Sequence, residues 1–283
     1  MASFDTDISI SIYGESQSVD ITNFGRIAFC TDDVGVGFTE TYRIYESNAD
    51  AQADSDLEAT AKLAMAAFFS QSLRPPDIMV VPVTYTQHDT DLDALLAEYA
   101  DFYGVVTQDR TDANVADVIT WAAANNRVAI VQSSDTDITG GSTPNMFDTA
   151  STAAANRAAG VWHDDDAEYV DLAWLATILS CDLDSQSSVA HDKLLVGCSP
   201  PPSSDVDATK KGVVVGVDGN LYLPIKGANV MRPGTMFGGD AVEDTIIADW
   251  FKARLEEAVA ALAIRQSNAN SKIAYDDDGI ALV

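Results

Sequence analysis

Short apolar runs alternate with helix-like segments over more than half of the chain. The runs have the length of buried strands and cover residues 26–30, 78–83, 102–107 and 128–132. Between them, apolar residues recur at helical spacing, for example at Val115, Val118, Ile119 and Ala122. This alternation is typical of βαβ units, which place parallel strands in one sheet and cover its faces with helices. Residues 26–180 are therefore predicted to form an α/β domain with a mostly parallel sheet.

The sequence pattern changes after Cys181, where a polar segment leads to three consecutive prolines, Pro200–Pro202. Two apolar runs then flank Asp218-Gly219, a dipeptide that favours tight hairpin turns. We expect Val213–Val215 and Leu221–Leu223 to be the two strands of that hairpin. Residues 181–283 are accordingly predicted to form a separate, smaller α+β domain.

A long amphipathic helix is predicted for this C-terminal domain. Gly238 and Gly239 interrupt the preceding structure, and Asp240 can cap the first turn of the helix. The periodic segment then extends for about 23 residues, or roughly 34 Å. Its apolar face is predicted to be buried in the core of the C-terminal domain and contains Ile247, Trp250, Phe251 and Leu255.

Both ends of the sequence contain apolar segments of the strand type. Ile8, Ile10 and Ile12 alternate with polar residues within a predicted arm of residues 1–25, and Ile280 and Leu282 belong to a short apolar run at the other end. A strand with one apolar face is unstable alone and must join a sheet. We therefore expect these five residues to form inter-subunit strands, through which each copy connects to its neighbours.

The charge of the chain argues against two classes of partner. Asp and Glu number 44 against 16 Lys and Arg, which gives a net charge of -28. Nucleic acids and anionic membranes attract proteins through positive potential, so neither is expected to bind directly. The longest apolar runs are shorter than the ~20 residues of a membrane span, and no secretory signal is predicted. Such acidity could recruit a basic partner, but it is more typical of proteins that stay soluble in high salt, and we expect a halophilic or marine source.

Motifs for catalysis or cofactor binding are absent from the sequence. It contains neither GxGxxG nor GxxxxGK[ST], and no serine lies in a GxSxG context. Cys30, Cys181 and Cys198 are interpreted as core thiols rather than as a disulfide framework or a zinc site. The segment 163–166, His-Asp-Asp-Asp, could bind a divalent cation, but an acidic turn before a helix explains it better. No catalytic residue, cofactor or metal site is predicted.

Several short motifs occur in a fixed order between residues 44 and 282. They are IYES at 44–47, AFFSQSLRPPDIMVVPV at 67–83, FYGVV at 102–106, TWAAANN at 120–126, EYVDLAWLA at 168–176, the segment 234–262, and AYDDDGIAL at 274–282. This ordered set resembles the contractile tail sheath proteins of myovirus-type phages, specifically a short sheath family described from sequence as a domain of unknown function. The match at Phe69–Ser72 and Arg74-Pro75 is close.

Two features depart from the family pattern. Ala274 stands where the family usually has proline, and the sequence ends at Val283, whereas family members continue for several tens of residues. The chain is therefore expected to be a short variant or to lack part of its C-terminus.

The resemblance implies a structural role rather than an enzymatic one. Sheath subunits polymerise as stacked rings around a tail tube, and contraction drives the tube through the host envelope. The implied partners are other copies of the chain, the tail tube protein, and baseplate and tail terminator proteins, in a virion tail assembled in the host cytoplasm. A baseplate or sheath-capping component with the same C-terminal part is one alternative, and a salt-adapted α/β enzyme of the hydrolase type is another.

Overall fold

The computed structural model describes residues 24–181, 183 and 188–268. The predicted inter-subunit strands lie outside these ranges. Their residues are Ile8, Ile10, Ile12, Ile280 and Leu282. The chain divides into two units: one is Asn23–Trp250, and the described part of the other begins at Phe251.

An eight-stranded sheet runs through the larger unit. In chain order its strands are β1 (Ile27–Thr31), β2 (Arg43–Tyr45), β3 (Ile78–Pro82), β4 (Gly104–Thr107), β5 (Val128–Ser133), β6 (Ala158–Trp162), β7 (Asn220–Ile225) and β8 (Ala228–Arg232). Their spatial order is β2-β3-β1-β4-β5-β6-β7-β8. All neighbours from β3 to β7 are parallel, whereas β2 and β8 add antiparallel edges. The prediction of an α/β fold with a mostly parallel sheet is confirmed.

Helices cover both faces of this sheet. In chain order the helices are α1 (Asn48–Ala53), α2 (Ala59–Ser70), α3 (His88–Glu98), α4 (Asp112–Ala124), α5 (Thr136–Gly140), α6 (Met146–Thr152), α7 (Val170–Leu179), α8 (Ala208–Gly216) and α9 (Val242–Asn268). Helices α2 and α7 pack in one core with Phe29, and α3, α4 and α6 pack in the other with Ala28 and Cys30. Strands covered on both faces are apolar at every position, which explains the continuous apolar runs. None of the described helices is long and apolar enough to cross a membrane.

The segment before β7 is a helix rather than the predicted hairpin strand. Val213–Val215 lie in α8, and the Asp207 carboxylate caps this helix by accepting two backbone N–H bonds of 2.8 and 2.9 Å. Asp218 follows with φ 58°, so the Asp-Gly pair ends a helix here. The hairpin that does form joins β7 and β8 through Lys226 and Gly227, which both have positive φ, as a two-residue hairpin turn requires.

The predicted domain boundary at residue 181 is wrong. Strand β7 pairs in parallel with β6, with Val161 opposite Asn220 and Trp162 opposite Leu221, so one sheet passes through both predicted domains. The change of sequence pattern after Cys181 marks a long crossover between neighbouring strands of this sheet. Residues 181–250 therefore add strands and helices to the α/β unit instead of forming an α+β domain of their own.

Asn220 holds the junction between β6 and β7. Its side chain is fully buried, and its amide nitrogen donates to the carbonyl oxygens of Gly160 (3.0 Å) and Thr235 (2.8 Å). Its Oδ1 accepts from the backbone N–H groups of Gly234 (2.8 Å) and Thr235 (2.9 Å). An asparagine side chain offers two donors and two acceptor positions, so this buried amide is fully satisfied.

Helix α9 is the long helix that the sequence predicts, and the larger unit holds its first two turns. Val242 and Ile246 are buried there. Asp249 accepts hydrogen bonds from Tyr103 Oη (2.7 Å) and from both terminal nitrogens of Arg157 (2.6 and 2.9 Å). The start of α9 is thereby fixed to residues that flank β4 and β6.

The predicted core face of α9 is exposed in the single chain. Phe251 is 62% exposed, Ile247 and Leu255 are exposed as well, and Trp250 is half-buried. The prediction that these four side chains form a core is therefore wrong for one copy of the chain. Neighbouring helix positions differ in direction by about 100°, so Ile246 turns inward while Ile247 turns outward. The periodicity identified a real apolar face but could not show what covers it.

A close contact at the β6–β7 junction explains the glycine in β6. Gly160 packs against the rings of Phe147 and Phe237, whose centroids are 5.2 Å apart in an edge-to-face arrangement. A Cβ at residue 160 would lie 2.3 Å from Cζ of Phe237 and 2.7 Å from Cζ of Phe147. This position therefore has no room for a side chain.

We expect Gly160→Ala to lower the free energy of unfolding by about 1–3 kcal/mol, because the added methyl group overpacks the two rings. Gly212→Ala is the matched control, since Gly212 lies in α8 with open space around its Cβ position. The control should be neutral or stabilising by up to about 1 kcal/mol. Urea unfolding monitored by tryptophan fluorescence measures both. An unchanged stability of Gly160→Ala would contradict the packing of Phe237 on β6.

Candidate assembly surfaces

The polar side chains at the carboxyl end of the sheet are engaged with each other. In parallel α/β sheets, this edge is where ligands usually bind. Here Thr31 Oγ1 donates to Gln108 Oε1 at 2.6 Å, which bridges the ends of β1 and β4. Asp33 caps α2 by accepting from the backbone N–H groups of Thr60 and Ala61. Thr31, Gln108 and Asp33 thus make internal hydrogen bonds, whereas both ring nitrogens of His88, which is buried at the start of α3 beyond the end of β3, have no hydrogen-bond partner among the described residues.

A buried ion pair lies at the same edge of the sheet. Arg110 follows β4 and donates to both carboxylate oxygens of Asp171, at 2.6 and 3.3 Å, and the Asp171 side chain is fully buried. The guanidinium also lies 5.6 Å from the centre of the Tyr169 ring. A buried carboxylate needs such a partner, because an isolated buried charge is strongly unfavourable. The pair therefore joins the β4 end of the sheet to α7.

The segment 163–166 forms the acidic turn that the sequence predicts. Asp165 Oδ1 accepts from the backbone N–H of Ala167 and caps a short 3₁₀ helix, Asp166–Glu168. The Asp165 backbone N–H donates to His163 Nδ1 at 3.0 Å, and His163 Nε2 lies 2.9 Å from the Ser199 carbonyl oxygen. Within the described ranges, no three His, Cys, Asp or Glu side chains are grouped as metal ligands.

Two of the three cysteines are buried thiols, as the sequence predicts. Burial raises the pKa of the Cys30 thiol far above its ordinary value. Burial, together with the nearby Glu168 and Asp171 carboxylates, raises the pKa of Cys198 to about 12. A thiol with a raised pKa is a poor nucleophile at neutral pH. Cys181 is half-buried, and all three cysteines are free.

A coil segment of residues 188–199, here called the strap, is held against the sheet by side chains from distant parts of the chain. Trp174 Nε1 donates to the carbonyl of Ala190 at 3.0 Å. Tyr222 Oη accepts from the backbone N–H of Leu195 (3.2 Å) and donates to its carbonyl (3.0 Å). These bonds satisfy a backbone that has no secondary structure of its own.

Gln71 makes the most complete contact with the strap. Its Oε1 accepts from the backbone N–H of Val196 at 2.9 Å, and its Nε2 donates to the Val196 carbonyl at 2.8 Å. Ser70 Oγ donates to the same carbonyl at 2.9 Å. Ser70 and Gln71 belong to the FSQS motif on which the family resemblance depends. The motif therefore has a structural role, since it fixes the strap to the end of α2.

The strap carries apolar side chains outward. Leu194 is 62% exposed and Val196 is also exposed, whereas Leu195 between them is buried. Leu73, two residues beyond Gln71, is exposed as well. Leu73, Leu194 and Val196 are here called the strap patch. Exposed apolar side chains on a rigidly held backbone are typical of contact surfaces between proteins.

A second apolar surface lies on the part of α9 that belongs to the smaller unit. Phe251, Leu255 and Val259 recur at four-residue spacing and are all exposed. They are here called the α9 row. Because residues four apart lie one above the other on a helix, the row is continuous along one side of α9.

The two edge strands of the sheet differ in how their backbone groups are engaged. At β8, the Asp192 backbone N–H donates to the Met231 carbonyl and the Met231 N–H donates to the Lys193 carbonyl, at 3.0 and 3.1 Å. At β2, the strand borders a cleft of about 600 Å³ whose lining includes Ile44 and Tyr45. Edge strands can accept a further strand through main-chain hydrogen bonds.

No protein-family model matches the sequence, and no curated protein sequence matches it. Among solved structures, the chain is similar to a chain of the anti-feeding prophage baseplate in its contracted state. The TM-score is 0.62 at 14% identity, and the match covers 92% of this chain and 78% of that chain.

The chain is also similar to the helical sheath of the anti-feeding prophage in its contracted state. The TM-score is 0.56 at 12% identity, and the match covers 87% of this chain and 72% of that chain. At these identities the likeness establishes a shared α/β fold. Two structural neighbours of the chain thus come from a baseplate and from a helical sheath.

We expect Gln71→Ala to lower the free energy of unfolding by about 1–3 kcal/mol, because it removes a buried side chain that hydrogen-bonds both backbone groups of Val196. The strap should also become more accessible to protease. Gln87→Ala is the matched control, since Gln87 is exposed and its side chain makes no capping bond to α3. Limited proteolysis and urea unfolding measure the two effects. Equal protease resistance of Gln71→Ala and the parent protein would show that other contacts hold the strap.

Proposed function

We propose that the chain is a structural subunit of a contractile tail sheath, which assembles as stacked rings around a tail tube. Contraction of that sheath drives the tube through the host envelope. The observation that carries the proposal is the fold, which matches a sheath and a baseplate of one contractile particle over most of the chain. The order of sequence motifs, which resembles phage sheath proteins, supports the same assignment independently.

A baseplate component is the second candidate, and a specific observation favours it. The match to the anti-feeding prophage baseplate has the higher TM-score, 0.62 against 0.56 for the sheath. A sheath subunit forms long helical tubes, whereas a baseplate component forms a closed ring. Negative-stain electron microscopy of the purified protein separates the two. Monomers or small dimers at high concentration in molar salt would oppose both candidates and favour the salt-adapted enzyme.

The proposed partners follow from this assignment. They are other copies of the chain, the tail tube protein, and the baseplate and terminator proteins at the two ends of a virion tail. The internal hydrogen bonds at the carboxyl end of the sheet support a structural role. The strap patch and the α9 row supply exposed apolar side chains on which a partner can pack.

The terminal segments are proposed to connect subunits by strand addition. Ile8, Ile10 and Ile12 in one arm, and Ile280 and Leu282 in the other, have the alternation of strands with one apolar face. Main-chain hydrogen bonds to a sheet edge would give affinity without side-chain ion pairs. The β2 edge and its cleft offer one receiving site. Such a joint can stay connected while subunits rotate.

Assembly is expected to strengthen with salt. Copies with a net charge of -28 repel one another at low ionic strength. The screening length falls from ~10 Å at 0.1 M to ~3 Å at 1 M salt, which removes most of that repulsion. Sedimentation of the purified protein at increasing NaCl concentration measures the assembled fraction. Disassembly on going to molar NaCl would show that attractive ion pairs dominate the contacts.

Deletion of residues 1–14 should leave a folded protein that no longer forms tubes. Ile10→Asp is the point version, because it places a charge on the apolar face of the predicted strand. Ser9→Asp is the matched control, since it adds the same charge on the polar face. Circular dichroism checks folding, and electron microscopy checks assembly. Normal tubes from the shortened chain would rule out the N-terminal connector.

A further inference from the structure

A groove of about 610 Å³ opens between α4 and α6. Its floor includes Ile119 and Met146, which are buried. Its walls are formed by small side chains, among them Ala113, Ala116, Ala123 and Ala153. Four alanines at the surface leave the helix backbones accessible to a partner element. Such a groove accepts large side chains from a helix that lies along it.

The α9 row has the dimensions that this groove requires. From Phe251 to Val259 the row spans nine residues, and its ends lie about 12 Å apart along the helix. Helix α4 lines the groove from Asp112 to Ala123, which corresponds to about 17 Å. Large side chains in an i±4 row pack well between helices that present small residues, because the backbones can then approach closely.

The charges of the two surfaces are compatible, although the chain as a whole is strongly acidic: Asp112 is the charged residue in the groove lining, and on α9 Lys252 pairs with Glu256 and Arg254 pairs with Glu257. Helices α4 and α6 carry Asp112, Asp117 and Asp148 and no basic residue. In contrast, the described part of α9 from residue 251 to residue 265 carries one more positive than negative charge. The charged residues of this part are Lys252, Arg254, Glu256, Glu257 and Arg265. Most surfaces of a protein with a net charge of -28 are repelled by an acidic surface. This part of α9 is not, because it carries one more positive than negative charge.

We propose that the α9 row of one copy docks in the α4–α6 groove of a second copy. The contact inserts Phe251, Leu255 and Val259 between alanine-lined helices and places a part of α9 with a small excess of positive charge against a groove that Asp112 lines. The inference rests on the proposed self-assembly, for which it names a pair of contacting surfaces. It names residues other than those of the terminal strands, so separate variants test the two contacts.

Disulfide trapping between two differently tagged full-length chains tests the contact. One chain carries Leu255→Cys and the other carries Ala116→Cys, and the mixture is oxidised mildly under assembly conditions. The matched control pairs Leu255→Cys with Ala124→Cys, because Ala124 is exposed on the same helix but does not line the groove. The parent chain mixed with each variant measures the background from the native cysteines.

We expect the mixed disulfide with Ala116→Cys to exceed the Ala124→Cys control by about tenfold, the difference that roughly 1.4 kcal/mol of preferred contact produces. Equal yields, or a link formed within one chain, would overturn the inference. If tubes form without the enriched link, the docking is wrong while the proposed function stands. If the link forms without tubes or rings, the docking is supported and the sheath assignment is opposed.

Surface variants give a second measurement that does not depend on oxidation. Phe251→Asp removes the first side chain of the row, and Ala116→Trp fills the groove. Each should reduce the assembled fraction by about tenfold. The matched controls Leu63→Asp and Ala124→Trp make the same substitutions at exposed positions outside both surfaces. Thermal melts monitored by circular dichroism confirm that each variant is folded, and normal assembly of both test variants would overturn the inference.

Discussion

The continuity of the sheet depends on the buried side chain of Asn220. Its four hydrogen bonds connect β6, β7 and the turn at residues 234–235. A hydrophobic residue of similar size would leave two backbone N–H groups and two carbonyls of this junction without those partners, which is costly in a buried site. The same junction brings Phe237 onto Gly160 and so fixes the chain that leads into α9. The Asn220 side-chain amide, with all its hydrogen bonds made, therefore helps to fix the positions of β7, β8 and the first turns of α9.

The parallel part of the fold could be predicted from the sequence, whereas the junction could not. Strands β1 and β3–β6 are buried on both faces and therefore appear as continuous apolar runs. Strand β7 follows β6 only after a long crossover, and nothing local in the sequence shows which strand it joins. The run Val213–Val215 has high β propensity, but the Asp207 cap and the burial of Val214 make it helical. An Asp-Gly pair with positive φ ends helices as well as turning hairpins.

The candidate surfaces, too, could be predicted from the sequence only in part. Helical periodicity predicted a buried apolar face on α9, but Ile247, Phe251 and Leu255 are exposed, because the same pattern is produced by a core helix and by a helix that binds a partner. The strap had no periodic signal, because its backbone is held by Gln71, Tyr222 and Trp174 instead of by its own secondary structure. The FSQS motif contains Gln71, but its hydrogen-bond partner, Val196, is 125 residues away in the sequence.

If the chain polymerises as proposed, its acidic copies need contacts that do not rely on ion pairs between them. Several of its 16 basic residues are already engaged within the chain, as in the pairs Arg26–Asp77, Arg43–Asp54, Arg110–Asp171 and Arg157–Asp249. Intrachain pairing leaves fewer cations for the surface, and it also fixes β1, β2, β4 and α9 in place. Main-chain strand addition and apolar helix contacts are insensitive to this shortage of positive charge. In the proposed assembly, the acidic surface favours solubility of each copy. Main-chain hydrogen bonds and exposed apolar side chains supply the contacts between copies.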